Sequence, residues 1–140
     1  SNILDLFSGV GSFGIECLSR GVKKVIFIEN YKSVLPILKK NLLALKSIKN
    51  YNIIEKDIFG SNIFSEFNYK FDIIFLDPPY KYKNLESIFI NINNKKILDK
   101  NGIIIIHRHK SEKDFCPKNF KIIEEKNYGI SKIVFLSYLN

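Results

Sequence analysis

Short apolar runs alternate with stretches whose apolar residues recur every three or four positions. The two periods predict a succession of strands and helices. Residues 3–7 read as a first strand, and Gly9 to Gly14 as a tight turn into a helix running to about Arg20, with Gly21 as its stop. Residues 24–29 read as a second strand, followed by a helix over about 32–46. Pro36 sits in its early turns, so its start falls nearer Val34 or Leu35. A third strand is expected at 51–55. After a short helical or irregular piece, residues 71–76 form a continuous apolar run, as in a strand covered on both faces. Leu85, Ile88, Phe89, Ile92 and Ile97 are spaced for a helix over 85–98, with Gly102 as its stop and residues 103–106 as the next buried strand. The pattern then changes. Residues 121–126 and 132–138 have no helix between them and flank Tyr128-Gly129, which predicts an antiparallel pair closing the sheet edge. Repeated βα units ahead of that pair argue for a mainly parallel sheet with helices on both faces.

The chain has 140 residues, enough for one domain, and its 46% hydrophobic content supports a core. Disorder is excluded by the supply of apolar and aromatic side chains. The apolar runs fall far short of the ~20 residues needed to cross a bilayer, so no membrane partner is expected. Residues 3–7 begin the chain without a basic, then hydrophobic leader. Cys17 and Cys116 are far apart and form no metal or redox pair, which points to a reducing, cytoplasmic setting. The 22 basic and 14 acidic residues leave a net charge of +8. Such a field favours encounter with nucleic acid, although the abundance of Lys, Ile and Asn also fits a biased coding composition.

Chemistry gathers at the predicted strand ends. In Asp5-Leu-Phe-Ser-Gly9-Val-Gly11-Ser-Phe-Gly14, Gly9 and Gly11 allow a sharp turn with room for a ligand, while Gly14 permits close helix–strand packing. Asp5 is either a turn acceptor or a residue holding the loop beside a cationic cofactor centre. Glu29 ends the second strand, where its carboxylate can take both hydroxyls of a ribose, and Asp57 closes the third. Ligands bind at such carboxyl ends in open α/β folds. The glycine pattern alone leaves open whether the ligand is a dinucleotide or another nucleoside. Phe13 and Tyr31 are candidates for the pocket wall, with core packing the alternative for Phe13.

Asp77-Pro78-Pro79-Tyr80 ends the most apolar strand. Consecutive prolines fix φ and donate no N–H, so the Pro78 carbonyl can point outward beside the Asp77 carboxylate. Together they can accept both hydrogens of an exocyclic amine, and Tyr80 offers a flat face for an unstacked base. The plainer reading is a rigid turn. His107 and His109 make a weak case as metal ligands, and no metal is expected. Contact with phosphate is a second possibility for both, as it is for Lys110, Lys113, Lys118 and Lys121.

Asp77-Pro-Pro-Tyr80 resembles the motif of class I S-adenosylmethionine-dependent methyltransferases that act on amino nitrogens. More closely, Leu4-Asp-Leu-Phe-Ser-Gly-Val-Gly-Ser-Phe-Gly-Ile-Glu-Cys-Leu-Ser-Arg-Gly21 and Tyr128-Gly-Ile-Ser-Lys-Ile-Val-Phe-Leu136 are similar to the first motif and closing strands of the bacterial 16S ribosomal RNA guanine-N2 methyltransferase family. The resemblance spans nearly the whole chain. It implies a Rossmann-like seven-stranded, mostly parallel sheet with a C-terminal antiparallel hairpin. It also implies S-adenosyl-L-methionine as cofactor, and ribosomal RNA or the small ribosomal subunit as partner, with no obligate protein partner. By the same resemblance Asp5, Gly9 and Gly11 lie by the methionine part of the cofactor, Glu29 at the ribose, Asp57 and Ile58 at the adenine, and Asp77, Pro78 and Tyr80 at the target base.

The chain departs from the family in two places. Members carry an amino-terminal extension for RNA docking, whereas here a single domain over 1–140 is expected without it. Where the family tends to place an acidic residue at the end of the fifth strand, this chain has His107-Arg108-His109-Lys110. The alternatives are N6 methylation of adenine in DNA or RNA, and a cofactor- or RNA-binding scaffold without turnover. A glutamine-modifying enzyme would favour Asn over Asp77, and a nicotinamide dehydrogenase would have no use for the Asp-Pro-Pro-Tyr segment.

Overall fold

Apolar β-branched residues concentrate where the chain is extended, and their alternation divides the core into two layers around a sheet. The computed structural model describes residues 1–60, 62–79, 85–112 and 116–139. The elements run β1 (Asn2–Leu6), α1 (Ser12–Ser19), β2 (Lys24–Ile28), α2 (Leu35–Leu43), β3 (Tyr51–Ile54), β4 (Phe71–Leu76), α3 (Glu86–Lys95), β5 (Leu98–His109), β6 (Phe120–Tyr128) and β7 (Ser131–Tyr138). The seven strands form one sheet in the order β3-β2-β1-β4-β5-β7-β6. The first five pair in parallel, and β7 runs antiparallel to both β5 and β6. The expected sheet and its closing hairpin are therefore present.

Side-chain parity on β1 shows how the layers arise. Ile3 packs on one face with Val25, Phe27, Leu18 of α1, and Leu38 and Leu42 of α2. Leu4 and Leu6 point to the other face, which Ile88, Phe89 and Ile92 of α3 cover together with Ile74, Leu76, Ile104 and Leu136. Asp5 shares the parity of Ile3, so a carboxylate is driven into the α1–α2 side of the core. Gly14 allows α1 to come down on β2, because a Cβ there would lie 2.3 Å from the Phe27 ring.

The helix boundaries differ from expectation at two places. The second helix ends at Leu43 rather than near Lys46. The third ends at Lys95, because Lys96 adopts a left-handed conformation (φ 51°, ψ 43°) and caps it. Gly102 is therefore not a helix stop but lies within β5, where an added Cβ would meet the Leu98 side chain at 2.6 Å. Between the pairs Phe71↔Leu98 and Ile73↔Ile103 the register shifts, so the extra residues of β5 bulge from the ladder.

The chain leaves β1 outward through β2 and β3, then returns to the opposite side of β1 as β4. The connections at the carboxyl ends of β1 and β4 thus diverge to opposite faces. Such a divergence opens a crevice at the edge of a parallel sheet.

Candidate functional site

That crevice is a cleft of about 630 Å³. Its floor and rim come from the ends of four adjacent strands. Asp5 is in β1, and Phe7, Ser8 and Gly9 follow it; Glu29, Asn30 and Tyr31 follow β2; Asp57, Ile58 and Phe59 follow β3; Phe75 is in β4, and Asp77, Pro78 and Pro79 follow it. Every residue expected at the cofactor or the target base lines this cleft except Gly11 and Tyr80, whereas His107, His109, Lys110, Lys118 and Lys121 do not. Tyr80 lies outside the described residues.

The loop after β1 turns through three residues of positive φ ahead of the helix, Phe7 (φ 56°), Gly9 (φ 56°) and Gly11 (φ 87°), a conformation that favours glycine at the last two. Their surroundings differ. A Cβ at Gly9 would meet nothing within 4 Å, so the loop is open towards the cleft there. At Gly11 a Cβ would come within 2.5 Å of Leu38 and 3.1 Å of Ile15. Gly11 therefore serves packing against α2 rather than leaving room for a ligand. It also takes the N-cap position of α1, where no side chain caps the helix.

Glu29 holds this loop in place. Gly9 N–H donates to Glu29 Oε1 at 2.7 Å, while Asn30 and Tyr31 N–H donate to Oε2 at 3.1 and 3.0 Å. The carboxylate thus ties the end of β2 to the turn after β1, and one acceptor site remains on Oε1 of this cleft-lining residue. Asn41 of α2 braces the same loop from behind, its Nδ2 donating to the Val10 carbonyl at 2.9 Å. Asp57 is also used locally, since Phe59 N–H donates to its Oδ1 at 2.9 Å. This Asx-type turn presents Ile58 and Phe59 to the cleft.

Asp5 is the most perturbed group. It is 1% exposed, and Gly14 N–H donates to its Oδ2 at 3.2 Å. Its Oδ1 has no hydrogen-bond partner among the described residues. Burial pushes its pKa up to about 8; the Gly14 N–H opposes the rise, and the nearby Asp77 and Glu29 carboxylates reinforce it. A buried carboxyl with one free oxygen, surrounded by other acids, is primed to receive a cation.

The apolar wall was only partly visible in the sequence. Phe13 stacks on Phe75 with centroids 4.1 Å apart and planes 7° from parallel, so it is both wall and packing. Phe59 packs against Phe7 at 6.0 Å. Tyr31 is 63% exposed at the rim. Neither Phe75 nor Phe59 stood out in the sequence, because a buried-strand phenylalanine and a loop phenylalanine carry no signal without the strand neighbours.

Asp77 follows β4 at the opposite lip, its side chain half exposed. His107 of β5 meets it, with Nδ1 3.0 Å from Asp77 Oδ1. The β4–β5 register explains the meeting, since Leu76↔Ile106 is a pair and the next residues lie side by side. His109 instead faces Ser111, with Nδ1 and Oγ 2.6 Å apart. Arg108, on the other parity, is bound by Glu112. Among the described residues no group of three or more His, Cys, Asp or Glu is arranged to hold a metal ion, and no helix is long and apolar enough to cross a membrane. Lys113 lies outside the described residues.

The cleft accordingly brings together a buried acid, a strand-end carboxylate, an aromatic and aliphatic wall, and an Asp-Pro-Pro segment at the mouth. The family model described as Conserved hypothetical protein 95 matches residues 1–137. The ribosomal RNA small subunit methyltransferase D of Haemophilus influenzae is 35% identical over 131 residues, covering 93% of this chain and 68% of that protein. Its namesake in Buchnera aphidicola subsp. Acyrthosiphon pisum is 34% identical, over 90% of this chain and 65% of that protein. The chain thus spans about two thirds of the length of these relatives. The crystal structure of a Haemophilus influenzae protein provisionally named a methylase superposes with a TM-score of 0.81 at 34% identity, covering all of this chain and 88% of that one. With the class I methyltransferase fold, the motifs in order and these relatives in agreement, the chain belongs to the Conserved hypothetical protein 95 family and, within it, to the bacterial 16S ribosomal RNA guanine-N2 methyltransferases.

Proposed function

We propose that the protein transfers a methyl group from S-adenosyl-L-methionine to the exocyclic N2 amine of a guanine in small-subunit ribosomal RNA. The observation that carries the reading is the placement of Asp77-Pro78-Pro79 on the same cleft as Asp5, Glu29 and Asp57. The names of the relatives, both small-subunit ribosomal RNA methyltransferases, support the substrate class.

The residues present fit the cofactor. The unpartnered Asp5 Oδ1 suits a positively charged ligand, the open side of Gly9 leaves backbone room, and Glu29 keeps acceptor capacity for ribose hydroxyls. Asp57 and Ile58 stand at the position for an adenine edge and face. When bound, S-adenosylmethionine supplies a methyl group already activated by its sulfonium. The protein's task is therefore orientation and electrostatics more than covalent help. Asp77 and the Pro78 carbonyl accept the two N–H bonds of the target amine, drawing its lone pair out of conjugation and towards the cleft. They also stabilise the positive charge that the nitrogen acquires as it is alkylated. Asp77 then stands where the surplus proton leaves. Tyr80 is assigned the face on which the base lies.

The test is transfer of radiolabelled methyl to unmodified small subunits, free ribosomal RNA and unmethylated DNA, with nucleoside analysis of each product. N2-methylguanosine that is lost in Asp77→Ala is expected. N6-methyladenine would replace the substrate assignment, and binding of cofactor and RNA without any transfer would replace the enzymatic one.

A further inference from the structure

The β4–β5 register brings His107 beside Asp77, and the two side chains meet there. His107 is at the far end of β5, and its imidazole does not line the cleft; it reaches the Asp77 carboxylate from the flank. Both side chains are partly exposed, at 38% and 50%. A carboxylate oxygen and a bare imidazole nitrogen 3.0 Å apart would be two opposed acceptors. The contact therefore calls for a hydrogen on Nδ1, which leaves Nε2 as the free nitrogen of the neutral ring. One oxygen of Asp77, a residue that lines the cleft, is then occupied by the imidazole, which leaves Oδ2 as its other acceptor.

We propose that His107 is a positioning residue for methyl transfer: its Nδ1–H fixes the Asp77 carboxylate so that the second oxygen receives the target amine. The inference rests on the role proposed for Asp77.

The surroundings leave Asp77 as the described carboxylate bound to this ring. Across the strand on β7, Ile133 is opposite His107, and Lys132 and Ser131 follow in register with Arg108 and His109. Lys132 Nζ donates to the Glu112 carbonyl and lies 3.8 Å from Glu125. Arg108 is engaged by Glu112, and His109 contacts Ser111. On β4 the facing ionisable group is Asp77 itself.

Three readouts test the proposal. In single-turnover transfer at pH 8, His107→Ala should lower the rate about tenfold or more with cofactor affinity unchanged, as misplacement of an acceptor does. His107→Asn, whose amide N–H stands close to the place of Nδ1–H, should recover most of that loss. Nitrogen-15 NMR of the imidazole, which needs no turnover, should find the proton on Nδ1 in the wild type and a shift towards the Nε2–H tautomer in Asp77→Ala. Equal rates for wild type and His107→Ala would overturn the proposal. So would an Asn variant as slow as the Ala variant, or a tautomer indifferent to Asp77. Full activity of Asp77→Ala would instead remove the role of Asp77 on which the proposal rests, and the NMR result would still report on the pair.

Discussion

Asp5→Asn replaces a buried acid by its neutral isostere and isolates one proton. With Asp5 raised from 3.8 to about 8, the folded protein holds a proton on this carboxyl over a range in which the unfolded chain does not. A shift of this sign contributes stability that is fully present below pH 4 and is lost as pH rises through about 8. At 1.36 kcal/mol per unit, the full loss is on the order of 6 kcal/mol, an upper figure because local relaxation softens burial. Asn carries no such slope, only a fixed cost for its amide hydrogens. The stability of wild type relative to Asp5→Asn should therefore decline steadily between pH 5 and pH 8 in urea unfolding. The same proton governs the ligand. At pH 7 about one tenth of the Asp5 carboxyls are ionised, so a cation that demands the carboxylate expels about 0.9 proton per site. Titration calorimetry of S-adenosylmethionine in two buffers of different ionisation enthalpy measures that number. The cofactor's own titrations cancel in the difference between wild type and Asp5→Asn. Equal proton release in the two proteins, together with parallel stability profiles, would refute the assignment of Asp5 as a protonated acid awaiting a cation.

Glu29→Gln should weaken cofactor binding by about tenfold or more in the same calorimeter, because an amide N–H₂ is turned against at least one of the three backbone donors that the carboxylate now serves. Gly14→Ala should lower stability by about 1–3 kcal/mol in urea titrations, since its new methyl would overlap the Phe27 ring between α1 and β2. Leu38→Ala removes a fully buried side chain that packs against Gly11 and should cost about 2–5 kcal/mol in the same assay. Burial raises the Glu112 carboxyl, but hydrogen bonding and charge from Arg108 outweigh it and the net shift is downward. Its stabilisation is therefore present above the ordinary glutamate range and lost as pH falls through the lowered value. Glu112→Gln should flatten that part of the acid limb in thermal melts from pH 6 to pH 3.

The parallel part of the fold was legible because its strands are short apolar runs with turn residues at their ends, and the closing hairpin because no helical period separates residues 121–126 from 132–138. The boundary of α3 was not. Gly102 was the natural stop by composition, yet Lys96 takes the left-handed position, and Leu98 is already paired to Phe71. Between the pairs Phe71↔Leu98 and Ile73↔Ile103, the one residue Asp72 of β4 stands against four of β5, residues 99–102. Such a bulge is decided by cross-strand pairing and leaves no local pattern. The strand-end acids were visible by position, and Asp5, Glu29, Asp57 and Asp77 do meet at one cleft. Their partners were not visible. That Glu29 binds the glycine loop and that His107 meets Asp77 both follow from strand register, and parity alone cannot bring Phe13 onto Phe75.

The three N–H groups gathered on Glu29 make it a keystone, and this limits how the cleft can be redesigned. An effort to change which sugar the site accepts would ordinarily begin with the acid at the end of β2. Here that substitution releases Gly9, and the turn after β1 loses its tie before selectivity is altered. Asn30 and Tyr31 are the more promising positions. They line the same rim, and their hold on Glu29 runs through the main chain, so their side chains can be exchanged while the tie remains.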